Sequence, residues 1–432
     1  MEARERRLGI LAGGGVLPRE IADAAARRGL PVSIVAIEGE ADGDFGAYPV
    51  TRVNWGQIGA MIRAFKQAGT TDLVIVGRVQ RPEIWDLKPD LGFFRYLPRI
   101  LKIVAAGGDD GVLRRVVRFF EQQGLRIIGP GEAAPELVVG EAALGKVRTT
   151  GADETDIARG LELVRALGAY DIGQSVIVAG GRIEAIEGAE GTDRMIARAA
   201  ESRQAGAARG VLVKRSKPGQ DLRVDMPAIG PLTVAAAERA GLAGIAVEAD
   251  KVIVAERAVT LERADAAGLF VEGVKDSTAA EPPRRFDPRA IPTAFRVLGR
   301  AAPQEHASLD AIKALAVLDA LAAFGTGRAA IVARNHVLAV EAGEGAQATL
   351  ARAAGLRQWA SVTHRRRGVA AIRDAADLTP AFVEAVTSAG YAGIAIAQGS
   401  APTDASLAAM IAEADKRGLF VLLREPKPER AP

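Results

Sequence analysis

The chain has 432 residues and a formal net charge of +3, and 49% of its residues are hydrophobic while only 4% are aromatic. That length suits two or three globular domains, while charge spread thinly along the chain and so few stacking platforms argue against a nucleic-acid partner. There is no cysteine, which removes disulfides and thiolate metal sites and fits a cytoplasmic protein; no apolar run reaches membrane-span length, and the one near the N-terminus is too short and glycine-rich for a signal peptide.

In chain order, Leu8 to Ala12 reads as a strand, Gly13-Gly14-Gly15 as a tight turn, and Pro18 to Arg28 as a helix with proline in its first turn. Val32 to Ile37 is a second strand, Ile58 to Ala68 a helix, and Asp72 to Gly77 the continuous apolar run of a parallel sheet covered on both faces. A proline- and aromatic-rich loop is expected over Arg81 to Pro98, then a helix from Val112 to Gln123 and a strand from Leu125 to Ile128. This β-α-β alternation implies a Rossmann-like domain over 1–150. Gly13, Gly14 and Gly15 are a candidate phosphate cradle, because glycines let backbone amides approach an anion at a helix N-terminus. The dinucleotide fingerprint is incomplete, since Pro18 stands where its third glycine belongs. Asp109 and Asp110 are either ligand contacts or a helix cap.

Residues 151–275 read as a second α/β unit. Ala158 to Leu167 is an amphipathic helix, Ser175 to Val178 and Arg182 to Ile186 form a hairpin, and Glu190-Gly191-Thr192-Asp193 opens a helix ending near Arg203. Glu190 and Asp193, three apart, could present two carboxylates on one side of a first turn to a metal or to substrate hydroxyls. Next comes the stretch that organises the reading, Gly210 to Thr233. A buried strand, Val211 to Val213, runs out into Lys214, Arg215, Lys217, Asp221, Arg223 and Asp225 before Pro227 and Gly230 open a helix. Cations mixed with carboxylates at a strand end suit a phosphorylated substrate, with lysines and arginines offsetting phosphate charge and a carboxylate holding a metal or a proton; a solvated charged loop is the plain alternative. The unit closes with a helix over Leu232 to Ala240, strands at Gly244 to Val247 and Val252 to Val254, a short helix, and a strand from Leu269 to Val271. All three histidines, His306, His336 and His364, lie beyond residue 300, so chemistry in the first 280 residues must use carboxylates, lysines, amides and a hard ion such as Mg²⁺ or Mn²⁺.

The motifs GILAGGG-x-x-P from Gly9, VGRV-x-RP from Val76, Gly108-Asp109-Asp110, Asp171-x-Gly173-Gln174-Ser175, Glu187-x-x-Glu190-Gly191-Thr192-Asp193 and Lys214-x-x-Lys217-Pro218-x-Gln220-Asp221-x-Arg223-x-Asp225 occur in this order. Together they resemble the bacterial UDP-2,3-diacylglucosamine pyrophosphatases of lipid A synthesis, of the two-domain type without the metallophosphoesterase fold. The resemblance covers residues 7–274. It implies Mg²⁺-dependent hydrolysis of UDP-2,3-diacylglucosamine to UMP and 2,3-diacylglucosamine 1-phosphate, attack at the sugar-side phosphorus, and transient contact with the inner face of the inner membrane. The family's essential aspartate falls on Asp225. The expected catalytic set is Asp225, Asp221, Lys214, Lys217 and Arg223; the expected substrate contacts are Gly13, Gly14, Gly15, Arg81, Asp109, Asp110, Gln174, Glu190, Thr192, Asp193 and Gln220; the expected metal ligands are Asp225, Asp193 and Glu190. A sugar-nucleotide-binding regulator that does not cleave is the alternative from another class.

The chain departs from that family in its length. Residues 276–292 have linker composition, and beyond them Ile331 to Ala354 aligns without gaps on Ile177 to Ala200, at an offset of 154 and with 11 identities in 24 positions. Residues 293–432 are therefore read as a degenerate copy of the second domain. Glu341 and Glu344 keep the places of Glu187 and Glu190, but Thr192 and Asp193 become Ala346 and Gln347, Asp171 becomes Gly325, and nothing answers to Asp225. Leu315, Leu318 and Leu321 repeat the packing positions Leu161, Val164 and Leu167, so the copy is expected to replace a partner subunit of a homo-oligomer; an appended domain binding anionic headgroups through His364 to Arg367 is the other possibility.

Overall fold

The computed structural model describes residues 5–79, 88–104, 109–203, 206, 208–276, 284–291, 293–356, 366–398 and 405–425. In the N-terminal domain, β1 (Leu8–Ala12), α1 (Leu17–Arg27), β2 (Val32–Ile37), β3 (Val50–Val53), α2 (Ile58–Gln67), β4 (Asp72–Val76), α3 (Leu91–Val104), α4 (Asp109–Glu121), β5 (Arg126–Ile127) and the single turn α5 (Pro130–Ala133) follow one another. The sheet order is β3-β2-β1-β4-β5, with every pairing parallel. Alternate strand residues face opposite ways: Leu8, Ile10 and Ala12 meet Ile21 and Ala25 of α1, while Leu11 meets Met61 and Phe65 of α2 and Phe120 of α4. Both faces are therefore covered, as the unbroken apolar runs require.

One expected loop is a helix. The segment expected to stay irregular up to Pro98 becomes α3 from Leu91 onward, with Pro98 inside it. Asp90 explains the start: its carboxylate accepts from Phe93 N at 2.8 Å, as an N-cap does, and also from Ala60 N at 2.8 Å in the first turn of α2. One aspartate thus caps two helices, and the proline removes only one later hydrogen bond.

The second domain contains β6 (Ala142–Ala143), α6 (Gly151–Gly168), β7 (Ser175–Ala179), β8 (Arg182–Ile186), α7 (Thr192–Ser202), β9 (Val211–Lys214), β10 (Ala228–Ile229), α8 (Pro231–Arg239), β11 (Gly244–Glu248), β12 (Ile253–Val254), α9 (Arg257–Ala266) and β13 (Phe270–Val274). Because β6 pairs with β13, this sheet takes in residues before 151. The third domain comprises β14 (Phe295–Val297), α10 (Glu305–Ala322), β15 (Ala329–Ala333), β16 (His336–Val340), α11 (Ala346–Gly355), β17 (Val369–Asp374), α12 (Pro380–Ser388), β18 (Gly393–Gln398), α13 (Ala405–Lys416) and β19 (Phe420–Arg424).

The second and third sheets are the same construction. Their orders are β6-β13-β11-β9-β7-β8 and β14-β19-β18-β17-β15-β16, and parallel and antiparallel pairings fall in the same places. Even the hairpin irregularity recurs, between Ile177 and Val178 and between Ile331 and Val332. Asp156 accepts from the turn amides of Gly180 and Gly181, and Asp310 from those of Arg334 and Asn335. The two sheets turn their inner faces toward each other, with α6 and α10 packed together in one continuous core that includes Leu161, Val164, Leu167, Val176 and Val213 with Leu315, Leu318, Leu321, Val332 and Ala371. The outer faces are separately covered, by α7, α8 and α9 in the second domain and by α11, α12 and α13 in the third.

Candidate functional site

At the carboxyl end of β9, Lys214 is 6% exposed, and its Nζ donates to Thr192 Oγ1 at 3.0 Å. Thr192 in turn donates to Glu187 Oε2 at 3.0 Å and lies 3.2 Å from Ser175 Oγ. Burial pushes the Lys214 ammonium below the usual lysine range, while the nearby charges of Glu187, Asp193 and Asp225 push back up. Thus β7, β8, the start of α7, β9 and the loop after it converge on one amine. Helix α7 has no side-chain N-cap, so its first-turn amides favour an anion beside that amine. The Oε1 atom of Gln174 is buried without a hydrogen-bond partner, an acceptor available to a ligand donor.

The loop holds Asp225 through a chain of hydrogen bonds. Lys217 N donates to Gln220 Oε1 at 2.7 Å, and Gln220 Nε2 donates to Asp225 Oδ2 at 2.6 Å and to Asp225 O at 2.9 Å. Asp221 O accepts from Asp225 N at 3.0 Å, which places Asp221 as a backbone support. Its carboxylate is occupied by Arg223, at 2.8 and 2.7 Å, and Arg223 also reaches Glu121 of α4 at 3.1 Å. Arg223 is therefore a brace between the first two domains. A second brace runs from Glu256 N to Glu20 Oε1, 2.9 Å, in the first turn of α1.

Lys214, Thr192, Asp193, Asp225, Gln220, Lys217 and Gln174 are thus gathered in one region, and two other expectations turn out differently. Gly13 N donates to Val76 O, Gly14 N to Arg78 O and Gly15 N to Asp42 Oδ1, so all three amides of the expected phosphate cradle are engaged. Gly13 is needed for close approach instead: a Cβ there would lie 2.4 Å from Arg78 O. Glu190 does not face Lys214's carboxylate cluster. Its Oε1 accepts from Arg198 at 3.2 Å and from Arg352 of the third domain at 2.9 Å, and Glu344 mirrors it against the same two guanidiniums. Glu190, Arg198, Glu344 and Arg352 are two pairs related by the 154-residue repeat, closed into one buried ring across the domain boundary. Arg81 lies outside the described residues, as does His364 of the expected headgroup patch; Asp109 and Asp110 open α4. Among the described residues no three His, Cys, Asp or Glu side chains gather as a metal-holding group. Mg²⁺ is commonly held by one or two carboxylates together with substrate phosphate oxygens. Asp193 and Asp225, both acting on Lys214, fit that donor set, and Glu190, paired with two arginines, does not.

Residues 7–137 match the family model described as the LpxI N-terminal domain, and residues 140–272 and 295–422 each match the one described as the LpxI C-terminal domain. The chain belongs to the LpxI family. It is 38% identical over 274 residues to UDP-2,3-diacylglucosamine pyrophosphatase LpxI of Caulobacter vibrioides, an alignment that takes in 62% of this chain and 98% of that protein. That relative therefore corresponds to the first two domains of this LpxI-family chain. Among solved structures, the UDP-glucose 4-epimerase of Thermus thermophilus in complex with NAD is matched over 66% of this chain and 91% of that one, at 16% identity and a TM-score of 0.22, too low to establish a common fold.

Glu187, Ser175 and Asp171 stood in the sequence motifs but not among the expected site residues; the register sets Ser175 opposite Lys214, Glu187 joins it through Thr192, and Asp171 pairs with Lys217.

Proposed function

We propose that this chain hydrolyses the diphosphate of UDP-2,3-diacylglucosamine, adding water across the phosphoanhydride to release UMP and 2,3-diacylglucosamine 1-phosphate. The observation that carries the reading is the buried Lys214 with Thr192, Glu187, Asp193 and Asp225 around it, present in one C-terminal domain and absent from its copy. Lys214 and Lys217 bring positive charge to phosphoryl oxygens as the bond breaks. Glu187 keeps Thr192 and Lys214 in register, and Asp225, held by Gln220, takes a proton from or orients the attacking water. Mg²⁺, held by Asp193 and Asp225 with the substrate, would neutralise diphosphate charge.

A diacylated substrate also implies work at the inner face of the inner membrane. Supporting this, Leu91 is 89% and Phe94 60% exposed on α3, beside the exposed Arg95, a combination suited to a lipid surface. No helix among the described residues is long and apolar enough to cross a membrane.

The test is incubation with UDP-2,3-diacylglucosamine and Mg²⁺, following UMP. Wild-type protein releases UMP; Asp225→Ala lowers kcat at least about 100-fold while substrate still binds; EDTA stops the reaction and Mg²⁺ or Mn²⁺ restores it. Binding without any UMP from the wild type would instead favour a sugar-nucleotide-binding regulator, and full turnover in EDTA would remove the metal from the mechanism.

A further inference from the structure

Asp171, just beyond α6, has φ 61°, in the left-handed region where a side chain is sterically disfavoured. Its counterpart in the third domain is Gly325, with φ 69°. The copy carries the residue this bend prefers, whereas the second domain keeps a carboxylate against that preference. Strain maintained at one of two otherwise equivalent positions points to a use for the side chain.

Two cations from two parts of the chain meet that carboxylate, and the charge of a third acts on it. Lys217 Nζ, from the site loop, lies 2.9 Å from Oδ1, and Arg285, from the linker, lies 3.5 Å from Oδ2. Lys313, in α10 of the third domain, adds its charge. Burial works against the Asp171 carboxylate, but Lys217, Arg285 and Lys313 outweigh it and hold the group below the usual carboxylate range. The placing of Lys313 follows from the internal symmetry. It stands at the repeat position of Arg159, but where Arg159 of α6 reaches across to Phe324 O just beyond α10, 2.8 Å away, Lys313 Nζ donates to Asn335 O in the hairpin turn of its own domain at 2.6 Å. From Lys217 the contacts continue through Gln220 to Asp225.

We propose that Asp171 is a positioning residue for the loop from Lys214 to Asp225, and that Arg285 of the linker, with the charge of Lys313 in the third domain added to it, holds it there, bringing the appended segment into the positioning of the second domain's site. This rests on the reading of Asp225 as the reacting carboxylate. The copy's own chemistry is gone, yet the linker before it reaches a carboxylate two hydrogen-bonded residues away from Asp225, and one of its lysines adds charge there. A domain tethered in this way meets its neighbour at high effective concentration, so the clamp is assembled whenever the chain is folded.

The experiment combines amide exchange with kinetics on the full chain. Asp171→Gly installs the residue the copy already uses at this φ, so folding and melting temperature are retained. Exchange across residues 214–225 should become faster, and kcat should fall about tenfold or more with KM moving less than about threefold. Asp171→Asn, which keeps the shape without the charge, should behave like Asp171→Gly, whereas Asp171→Glu should recover part of the loss. Adding Asp171→Gly to Lys217→Met should cost nothing beyond Lys217→Met alone, since the first acts through the second. Arg285→Gln with Lys313→Met should loosen the same segment. Unchanged exchange in Asp171→Gly, or effects that multiply with Lys217→Met, overturns the clamp; unchanged exchange in the Arg285/Lys313 variant overturns the third domain's part in it. A wild type that releases no UMP would condemn the hydrolase reading, and the exchange data would still decide the clamp.

Discussion

The second and third domains share sheet order, hairpin irregularity and helix-to-turn caps, and they differ where β9 and β17 end. The registers pair Ser175 with Lys214 and Ala329 with Ile372, so the copy has an isoleucine where the second domain buries an amine. Thr192 becomes Ala346 beside it. Arg215 and Arg373, one residue further on, both survive; their backbone amides donate to Gln174 O and Arg328 O, and their guanidiniums reach backbone carbonyls near α6 and α10. Glu187 and Glu341 also both survive, each accepting a backbone amide at the hairpin's base. The difference separates two kinds of polar burial. Groups that satisfy the backbone are kept in both copies, because an unpaired buried amide or carbonyl is costly wherever it occurs. Lys214, whose burial works against its own charge, is kept in one, which is the pattern expected of a residue that serves a ligand.

The largest expected effect comes from removing the comparison altogether. A chain ended after Asp276 exposes Leu161, Val164 and Leu167 along the shared core, and size-exclusion chromatography should show aggregation or a homodimer; a monomeric, fully active fragment would break the idea of a built-in subunit. Next, Lys214→Ile makes the second domain resemble its copy at one position. UMP release should drop at least about 100-fold while melting temperature holds or rises, since a desolvated ammonium is exchanged for a packed side chain; retained activity would show that the lysine is not part of the chemistry. Arg352→Ala then leaves Glu190 and Glu344 with Arg198 alone inside the boundary, and calorimetry should register a loss of about 3–5 kcal/mol. A change within about 0.5 kcal/mol would mean that the ring contributes nothing to the docking.

The smallest effect is a pH dependence. Burial is the strongest influence on Lys313 and pushes it down to about 8, against partial support from Asp171 and Asp310. Between about 8 and the ordinary value of 10.5 the unfolded chain binds the extra proton and the folded one does not, so stability rises with pH through that window. Comparing wild type with Lys313→Met should isolate a rise on the order of 1–3 kcal/mol, and identical slopes would contradict the buried lysine.

Much of this was legible in the residues themselves. The runs at Leu8, Val32 and Asp72 are apolar throughout because both faces of their sheet are covered, and they read directly as strands. The repeat was legible because Ile177 to Ala200 and Ile331 to Ala354 had to keep the same hairpin and helix. Helix α3 was hidden behind Pro98, since the cap that starts it, Asp90, works through three-dimensional proximity to α2 as well as local spacing. Glu190 was misplaced for a related reason. Its spacing from Asp193 suits a shared ligand, but its partner Arg352 lies 162 residues away and no local pattern announces it. The glycine turn carried an ambiguous signal, because an anion cradle and a crowded backbone crossing both demand the absence of a Cβ.

The pairing of β14 with β19 carries a consequence for how the protein is made. Phe295 lies opposite Arg424, and Val297 opposite Leu422, so the third sheet cannot close until Arg424 has left the ribosome. Until then the second domain can complete its own sheet and its outer face, but the apolar flank of α6 has no cover. Synthesis at roughly 5–20 residues per second leaves that flank exposed for several seconds on every chain.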